Sequence, residues 1–338
     1  MPMFNLPFEI AIRGCGHATG TRCYSNADVM EEFGIRIKTS FIDNNVGSET
    51  RYFLAEDMST SDLATRAAEK ALAAAGLEVQ QLSRLIVATS TADYLSPSTA
   101  CVVQHKLGGS GFPAYDLGAA CSGFVYALDQ AIRCVATGDE HVLVVGVDAR
   151  SRTLDRQNKR TAFLYGDGAG AVVISRNRRS GNGFIASLLY ADGSGHDAVY
   201  VPSVGHARDD DSSRPVLTMP NGRRVSENAG PGIPYLCNRL LDESGYRHED
   251  IAFYLFHQPN LFLLRSALNE LRIPDHKTVI NFPRYGNTVA ASIPIALSEA
   301  VAERRLQPDD LVLMCAVGGG FTGGVHLLRW CDVGDFAP

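Results

Sequence analysis

The feature that most limits how this chain can fold is that it repeats itself. In the first half, a helix through Leu63 to Ala75 stops at Gly76 and a strand follows over Leu85 to Thr89. In the second half, a helix ending at Ser244-Gly245 leads into a strand over Ala252 to Phe256. Glycine is the residue that best tolerates the left-handed turn just past a helix end. The parallel continues. Cys121-Ser122-Gly123 opens a helix through Tyr126, Ala127 and Ile132, which ends at Gly138-Asp139 before a strand from His141 to Val147. Gly286-Asn287-Thr288 opens a helix through Ile295, Ala296 and Ala300, and a turn at Pro308-Asp309 precedes a strand from Leu311 to Val317. Each half closes with a glycine-rich turn and an apolar strand, Gly166 to Ile174 and Gly318 to Leu328.

Two βαβ-like halves of one order predict an α/β fold with a pseudo-twofold axis and a layered α/β/α/β/α core. Continuous apolar strands suit sheets covered on both faces. The helix after Cys121 carries Phe124, Val125, Ala127, Leu128, Ala131 and Ile132, which leaves little polar face and predicts a buried helix. We expect a first half over residues 1–190 holding Cys121 and a second over 232–338 holding His257 and Asn287. Residues 191–231, with the run Asp209-Asp210-Asp211-Ser212-Ser213, read as a connecting surface excursion, either a lid or an ordinary loop.

The chain has 338 residues, 45% of them hydrophobic, enough for a large core. The net charge of −6 and the lack of a long basic run argue against a dedicated nucleic-acid binder. Short basic clusters at Lys159-Arg160, Arg176 to Arg179 and Arg304-Arg305 read as solvated surface or as docking points for an acidic partner. The eight cysteines include no CxxC pair, so no zinc or other metal site is expected. Several sit in apolar runs such as Leu313 to Val317, where free cysteine acts as a small hydrophobe, a usage that suits a reducing cytoplasm. Met1 to Arg13 lacks the features of a signal peptide and reads as a first strand over Phe8 to Ile12. No apolar run approaches membrane-spanning length.

The repeat puts three reactive residue types at related element ends: Cys121 and Asn287 at the starts of the two buried helices, and His257 just past the strand Ala252 to Phe256. A twofold axis brings those ends together. Taken singly, each has an ordinary reading, since a cysteine can be core and an asparagine at a helix start can be a cap. Cys121 has the better chemical case. A thiolate at a helix N-terminus is stabilised by the helix dipole, and its neighbours Gly118, Ala119, Ala120, Ser122 and Gly123 leave room for a substrate and a sharp turn. The turn Gly166 to Gly170 matches neither a dinucleotide fingerprint nor a P-loop, so its glycines are read as permitting tight backbone packing. Gly318 to Gly320 can offer a free N–H as an oxyanion donor.

At these residues the chain resembles the β-ketoacyl-acyl-carrier-protein synthase III family of the thiolase superfamily. The matching stretches are Ala119 to Leu128, Gly166 to Gly170, His257-Gln258-Pro259-Asn260, Tyr285 to Ser292 and Gly318 to Thr322, in the family's order and spacing and over essentially the whole chain. The resemblance implies a thiolase-like fold and a decarboxylative condensation in fatty-acid or polyketide biosynthesis. Cys121 takes an acyl group from a thioester, with ping-pong kinetics. His257 and Asn287 donate hydrogen bonds to the carbonyl of a malonyl-type thioester and stabilise the enolate formed as carbon dioxide leaves. The backbone N–H groups of Cys121 and Gly319 hold the tetrahedral oxyanion. Neutral His257 suits this role, and a pH–rate profile rising through the ordinary histidine range is the expected sign of it. It further implies coenzyme A or acyl-carrier-protein thioesters as substrates, no tightly bound cofactor, carrier protein as a partner, and a homodimer with residues 96–104 near the interface.

Two other readings stand beside it: an acyltransferase that passes the Cys121-bound group to an alcohol or amine, and an inactive partner subunit of another synthase. Relatives with an acidic residue in place of Asn287 tend to acylate oxygen or nitrogen, so Asn287 favours condensation. Positions expected to touch substrate depart from the family pattern. Phe41 and Asn45 stand where a Trp and an Arg usually sandwich the coenzyme A adenine, and Phe262 stands where an Arg usually follows the motif ending in Asn260. Lys159 replaces an Arg and loses its planar fork. Ser96 replaces a bulky Phe that limits the acyl pocket across the dimer, and Val317 replaces a Phe before the glycine turn. Ser96 and Val317 are expected to be buried and to widen that pocket.

Overall fold

The computed structural model describes residues 3–159, 161–177, 181–203 and 215–331. The first half contains β1 (Ile10–Thr19), β2 (Arg22–Ser25), α1 (Asn26–Phe33), α2 (Thr39–Asn45), β3 (Thr50–Phe53), α3 (Thr60–Ala75), β4 (Arg84–Ala88), α4 (Thr99–Lys106), β5 (Ala114–Leu117), α5 (Gly123–Ala136), β6 (His141–Asp148) and β7 (Gly168–Arg176). The second contains β8 (Gly183–Ala191), α6 (Gly222–Ser244), β9 (Phe253–Phe256), α7 (Leu261–Glu270), α8 (Phe282–Tyr285), α9 (Ser292–Ala302), β10 (Leu311–Gly318) and β11 (Thr322–Arg329). The repeat is realised over four strands of each half, β5 adding an edge strand to the first sheet. One sheet has the order β1-β7-β6-β4-β5 and the other β8-β11-β10-β9, with β4–β6 and β9–β10 parallel and the remaining shared pairs antiparallel.

The hydrophobic clusters define the layers. Leu128 and Ile132 on α5 and Ile293 and Leu297 on α9 pack between Val144 of one sheet and Val312 of the other, so both helices are enclosed. Ala64, Ala68 and Leu72 of α3 cover the outer face of the first sheet, and Leu236 and Leu240 of α6 cover that of the second. The result is the α/β/α/β/α stack. Alanine lets α3 lie close: an added Cβ at Gly14 of β1 would stand 2.5 Å from Ala75 N. Ser59 and Asp62 form a capping box at its start, and Gly76 ends it at φ 62.

Three boundaries differ from the sequence reading. The first strand runs over Ile10–Thr19 and not Phe8 to Ile12, because hydrogen bonding to β7 continues through Gly14 and Gly16, where close packing by α3 substitutes for apolar side chains. Gly183–Ala191 pairs with β11, so by sheet membership the halves meet between Arg176 and Gly183 instead of at 190. The described residues on either side of 204–214 follow β8 and lead into α6. Their chain is tied to the glycine turn by Asp192 N to Phe321 O (2.8 Å), and α6 begins at Gly222 and runs through Pro231. The run Asp209 to Ser213 lies outside the described residues. No helix among the described residues is long and apolar enough to cross a membrane.

Candidate active site

Cys121 sits in a tight turn, Ala120–Ser122, that feeds directly into α5. Ala120 has φ 47, a left-handed conformation that a side chain adopts only when its surroundings hold it. The surroundings are visible: Ser122 Oγ donates to Ala119 O (2.8 Å) and bonds Thr322 Oγ1 (2.6 Å), tying the elbow to the start of β11. An added Cβ at Gly318 would stand 3.0 Å from Cys121 N, so a glycine there keeps the space beside that N–H clear.

The symmetry is shifted relative to the sequence reading. The turn Val289–Ala291 precedes α9 as Ala120–Ser122 precedes α5, and Val289 has φ 53. Cys121 therefore corresponds to Ala290, and Asn287 lies before the turn and outside the helix. What holds Asn287 is the glycine-rich turn of the first half. Asn287 N donates to Leu164 O (2.8 Å) and Gly166 N donates to Asn287 O (3.2 Å). A Cβ at Gly166 would stand 2.1 Å from Tyr285 O, which is the physical reason for glycine there.

Asn287 Oδ1 accepts from Val289 N (2.8 Å), which fixes the orientation of its amide, since only the oxygen can accept. The Nδ2 donates to Pro259 O (3.3 Å) and keeps a second hydrogen. His257 follows β9, is 1% exposed, and anchors its backbone by donating to Cys315 O (2.9 Å). Its Nδ1 has no hydrogen-bond partner among the described residues.

Cys121, His257, Asn287, Gly319, Asn260 and Val317 line one cavity of about 110 Å³. Asn260 caps α7, accepting from Leu263 N (2.8 Å). The other positions singled out from sequence lie elsewhere. Phe41 (41%) and Phe262 (42%) are exposed, as are Asn45 and Lys159. Asn45 Nδ2 donates back to Phe41 O (2.8 Å). The α2 and α7 ends adjoin, with Leu261 N donating to Val46 O (3.2 Å). Ser96 is exposed on this chain beside Tyr94 and Leu95, and Val317 is buried. The excursion contributes wall: Val199, Met219 and Val225 line the cavity.

The electrostatics differ from the expectation of a dipole-stabilised thiolate. Burial raises the Cys121 thiol to about 12, and Arg150 and a backbone N–H pull it down without overcoming that. The sulfur faces the cavity and so keeps intermediate exposure, yet protein encloses it closely enough to penalise charge. Burial lowers His257 to about 3, so the imidazole is neutral and the activity limb moves out of the ordinary histidine range.

Several supporting residues carried no clear sequence signal. Asp148, fully buried, accepts from Ser90 Oγ (2.6 Å) and Ala290 N (3.2 Å) and lies 3.7 Å from buried Arg150. Asp167, in the glycine turn, accepts from Leu54 N and Ser151 N (2.8 Å each), and burial raises it to about 6. Gln258 and Glu299 grip α8; a lone charge in the otherwise apolar α9 was the one available hint of the latter.

Residues 115–193 match the family model "3-Oxoacyl-[acyl-carrier-protein (ACP)] synthase III", and 241–330 match its C-terminal counterpart. The chain is 39% identical to β-ketoacyl-[acyl-carrier-protein] synthase III of Oleidesulfovibrio alaskensis, over 94% of this chain and 98% of the relative. Among solved structures it superposes on the Thermus thermophilus synthase III with a TM-score of 0.89 at 37% identity, covering 95% of this chain and 99% of that one. It also superposes on the priming β-ketosynthase of the R1128 polyketide pathway, with a TM-score of 0.88 at 27% identity over 98% and 99%. With family-model matches in both halves and this identity over nearly the full length of a relative, the chain belongs to the 3-oxoacyl-[acyl-carrier-protein] synthase III family.

Proposed function

We propose that the protein condenses an acyl thioester with a malonyl-type thioester, with loss of carbon dioxide, to give a β-ketoacyl thioester in fatty-acid or polyketide biosynthesis. The observation that carries this reading is the meeting of a thiol, a neutral imidazole and an amide fixed as a donor at one cavity. Cys121 attacks the acyl carbon from its thiol form and gives up its proton as the bond forms. The S–acyl bond forms, the donor's thiolate leaves, and the proton passes to it. In the second half-reaction His257 and Asn287 donate to the malonyl thioester carbonyl, which stabilises the enolate as the carboxylate leaves as carbon dioxide. The enolate carbon attacks the acyl-cysteine, the N–H groups of Cys121 and Gly319 hold the oxyanion, and its collapse breaks the S–acyl bond and expels the Cys121 thiolate, which takes a proton from water to regenerate the thiol. A neutral imidazole helps because a fixed cation would also hold the malonyl carboxylate that must depart.

The relatives' names support acyl-carrier-protein chemistry, and coenzyme A or carrier-protein thioesters are the proposed substrates, with carrier protein as partner. The exposed, uncharged Phe41 in the first turn of α2 and Phe262 in the first turn of α7, and Asn45 in place of a cation, support altered donor recognition. Exposed Tyr94 (58%) and Leu95 (75%) beside Ser96 support a homodimer through this face, where Ser96 would act on the partner's pocket. A Leu95→Glu chain that keeps the parent's mass in sedimentation would refute that interface.

The test of function is intact-mass spectrometry after incubation with a panel of acyl thioesters, then malonyl thioester. The expected result is a mass gain that is absent in Cys121→Ala and cleared by malonyl thioester with carbon dioxide release. Clearance by alcohols or amines alone would establish an acyltransferase instead. No gain with any donor, carrier-protein thioesters included, would point to a non-catalytic partner subunit.

A further inference from the structure

Glu299 is a carboxylate that the mechanism above does not use, and it is 7% exposed. It is the sole charged side chain of α9. It accepts from Asn281 Nδ2, Arg284 Nη2 and Tyr285 Oη, each at 2.8 Å. Those donors span α8, the single turn that ends at Tyr285, two residues before Asn287. The other end of α8 is held by the residue that follows His257. Gln258 Oε1 accepts from Asn281 N (3.1 Å) and Phe282 N (2.8 Å), two backbone donors that a helix start leaves open. Gln258 Nε2 donates to Val279 O (2.9 Å), and Gln258 N donates to Ser292 Oγ (3.1 Å) at the start of α9.

The turn before Asn287 is thus gripped between the chain carrying His257 and the helix following Asn287. We propose that Glu299, together with Gln258, is a positioning residue that sets where Asn287 stands relative to His257. It then governs decarboxylation of the malonyl-type thioester and leaves acyl loading of Cys121 unaffected. The proposal rests on the reading of Asn287 as a donor to that thioester.

The separation of half-reactions follows from who holds what. Cys121 is held in a turn whose hydrogen bonds join Ala119, Ser122 and Thr322, and these bonds do not run to α8. The far side of α8 has its own ties, Glu49 N to Pro283 O and Thr50 Oγ1 to Arg284 O, both 2.8 Å. Loss of Glu299 therefore shifts the turn and does not release it. A displacement on the order of 1 Å in a positioned group lowers a rate by roughly a hundredfold.

The experiment measures two rates on each full-length variant: acylation of Cys121 by intact mass, and carbon dioxide release from malonyl thioester. For Glu299→Ala we expect acylation within about twofold of the parent and carbon dioxide release lower by roughly ten- to a hundredfold. Glu299→Gln keeps an acceptor for Tyr285, and Asn281 can turn its amide to accept from the new N–H, so release recovers to within about threefold. Equal loss of both rates, or loss of neither, overturns the proposal. Should Glu299→Ala not fold, Tyr285→Phe removes one hydroxyl and decides: unchanged release overturns the proposal. Asn287→Ala separates the two levels. If it releases carbon dioxide at the parent rate, the reading of Asn287 fails; if it does not while Tyr285→Phe and Glu299→Ala do, the clamp fails.

Discussion

His257 should make the folded protein less stable in mild acid by a calculable amount. In the unfolded chain it titrates near 6.5, whereas burial in the folded protein lowers it to about 3. Between those values the unfolded state binds a proton on this side chain and the native state does not, so stability falls as pH falls below 6.5. The loss grows by about 1.4 kcal/mol per pH unit, reaches about 2 kcal/mol at pH 5, and levels near 5 kcal/mol below pH 3. The contribution is fully present above 6.5. Burial also lowers His17, His141, His248 and His326, and raises Asp167, so the parent's total slope contains other groups. Comparison with His257→Asn removes them, since they are common to both proteins. The assay is urea unfolding at pH 7 and pH 5. The parent should lose about 2 kcal/mol more than the variant over that interval. Identical losses would refute burial as the state of His257. The same neutrality predicts that kcat/KM for condensation shows no limb near 6.5 arising from this residue.

Other perturbations follow from the same geometry. Arg150→Met removes the cation that pulls the Cys121 thiol down, so alkylation of Cys121 at pH 8 should slow by about tenfold, with Arg150→Lys close to the parent; an unchanged rate would remove Arg150 from the account. The Met variant also leaves Asp148 buried beside no cation, at about 3–5 kcal/mol, readable as a lowered urea midpoint. Gly166→Ala places a Cβ where Tyr285 O now sits, so we expect about 1–3 kcal/mol of destabilisation and slower carbon dioxide release with acylation spared. Val317→Phe fills part of the cavity, and the longest acyl chain that loads Cys121 should shorten; unchanged chain preference would show that Val317 does not bound the acyl site.

Much of the site was legible because its signals are local. Cys121 and Asn287 are followed by small residues and long apolar helices, His257 follows a short apolar strand, and glycines mark each turn. The order of those pieces repeats, and the repeat implies the axis that brings them together. The span of β1 was not legible in the same way. Continuation of β1 past Ile12 depends on a helix distant in sequence packing against bare glycine backbone.

The sequence by itself made the layered α/β plan and its internal repeat legible and pointed to Cys121, His257 and Asn287 as candidates, because periodicity and glycine turns are properties of neighbouring residues. The tertiary structure alone decided the rest. It placed Gly183–Ala191 in the second sheet, seated Asn287 against the glycine turn of the other half, and made a cavity wall of part of the excursion. It also left Cys121 a thiol and His257 neutral, against the pull of a helix start. The reason is physical: sheet pairing, burial and desolvation depend on groups brought together from far along the chain, and the cost of holding a charge is set by everything that surrounds it.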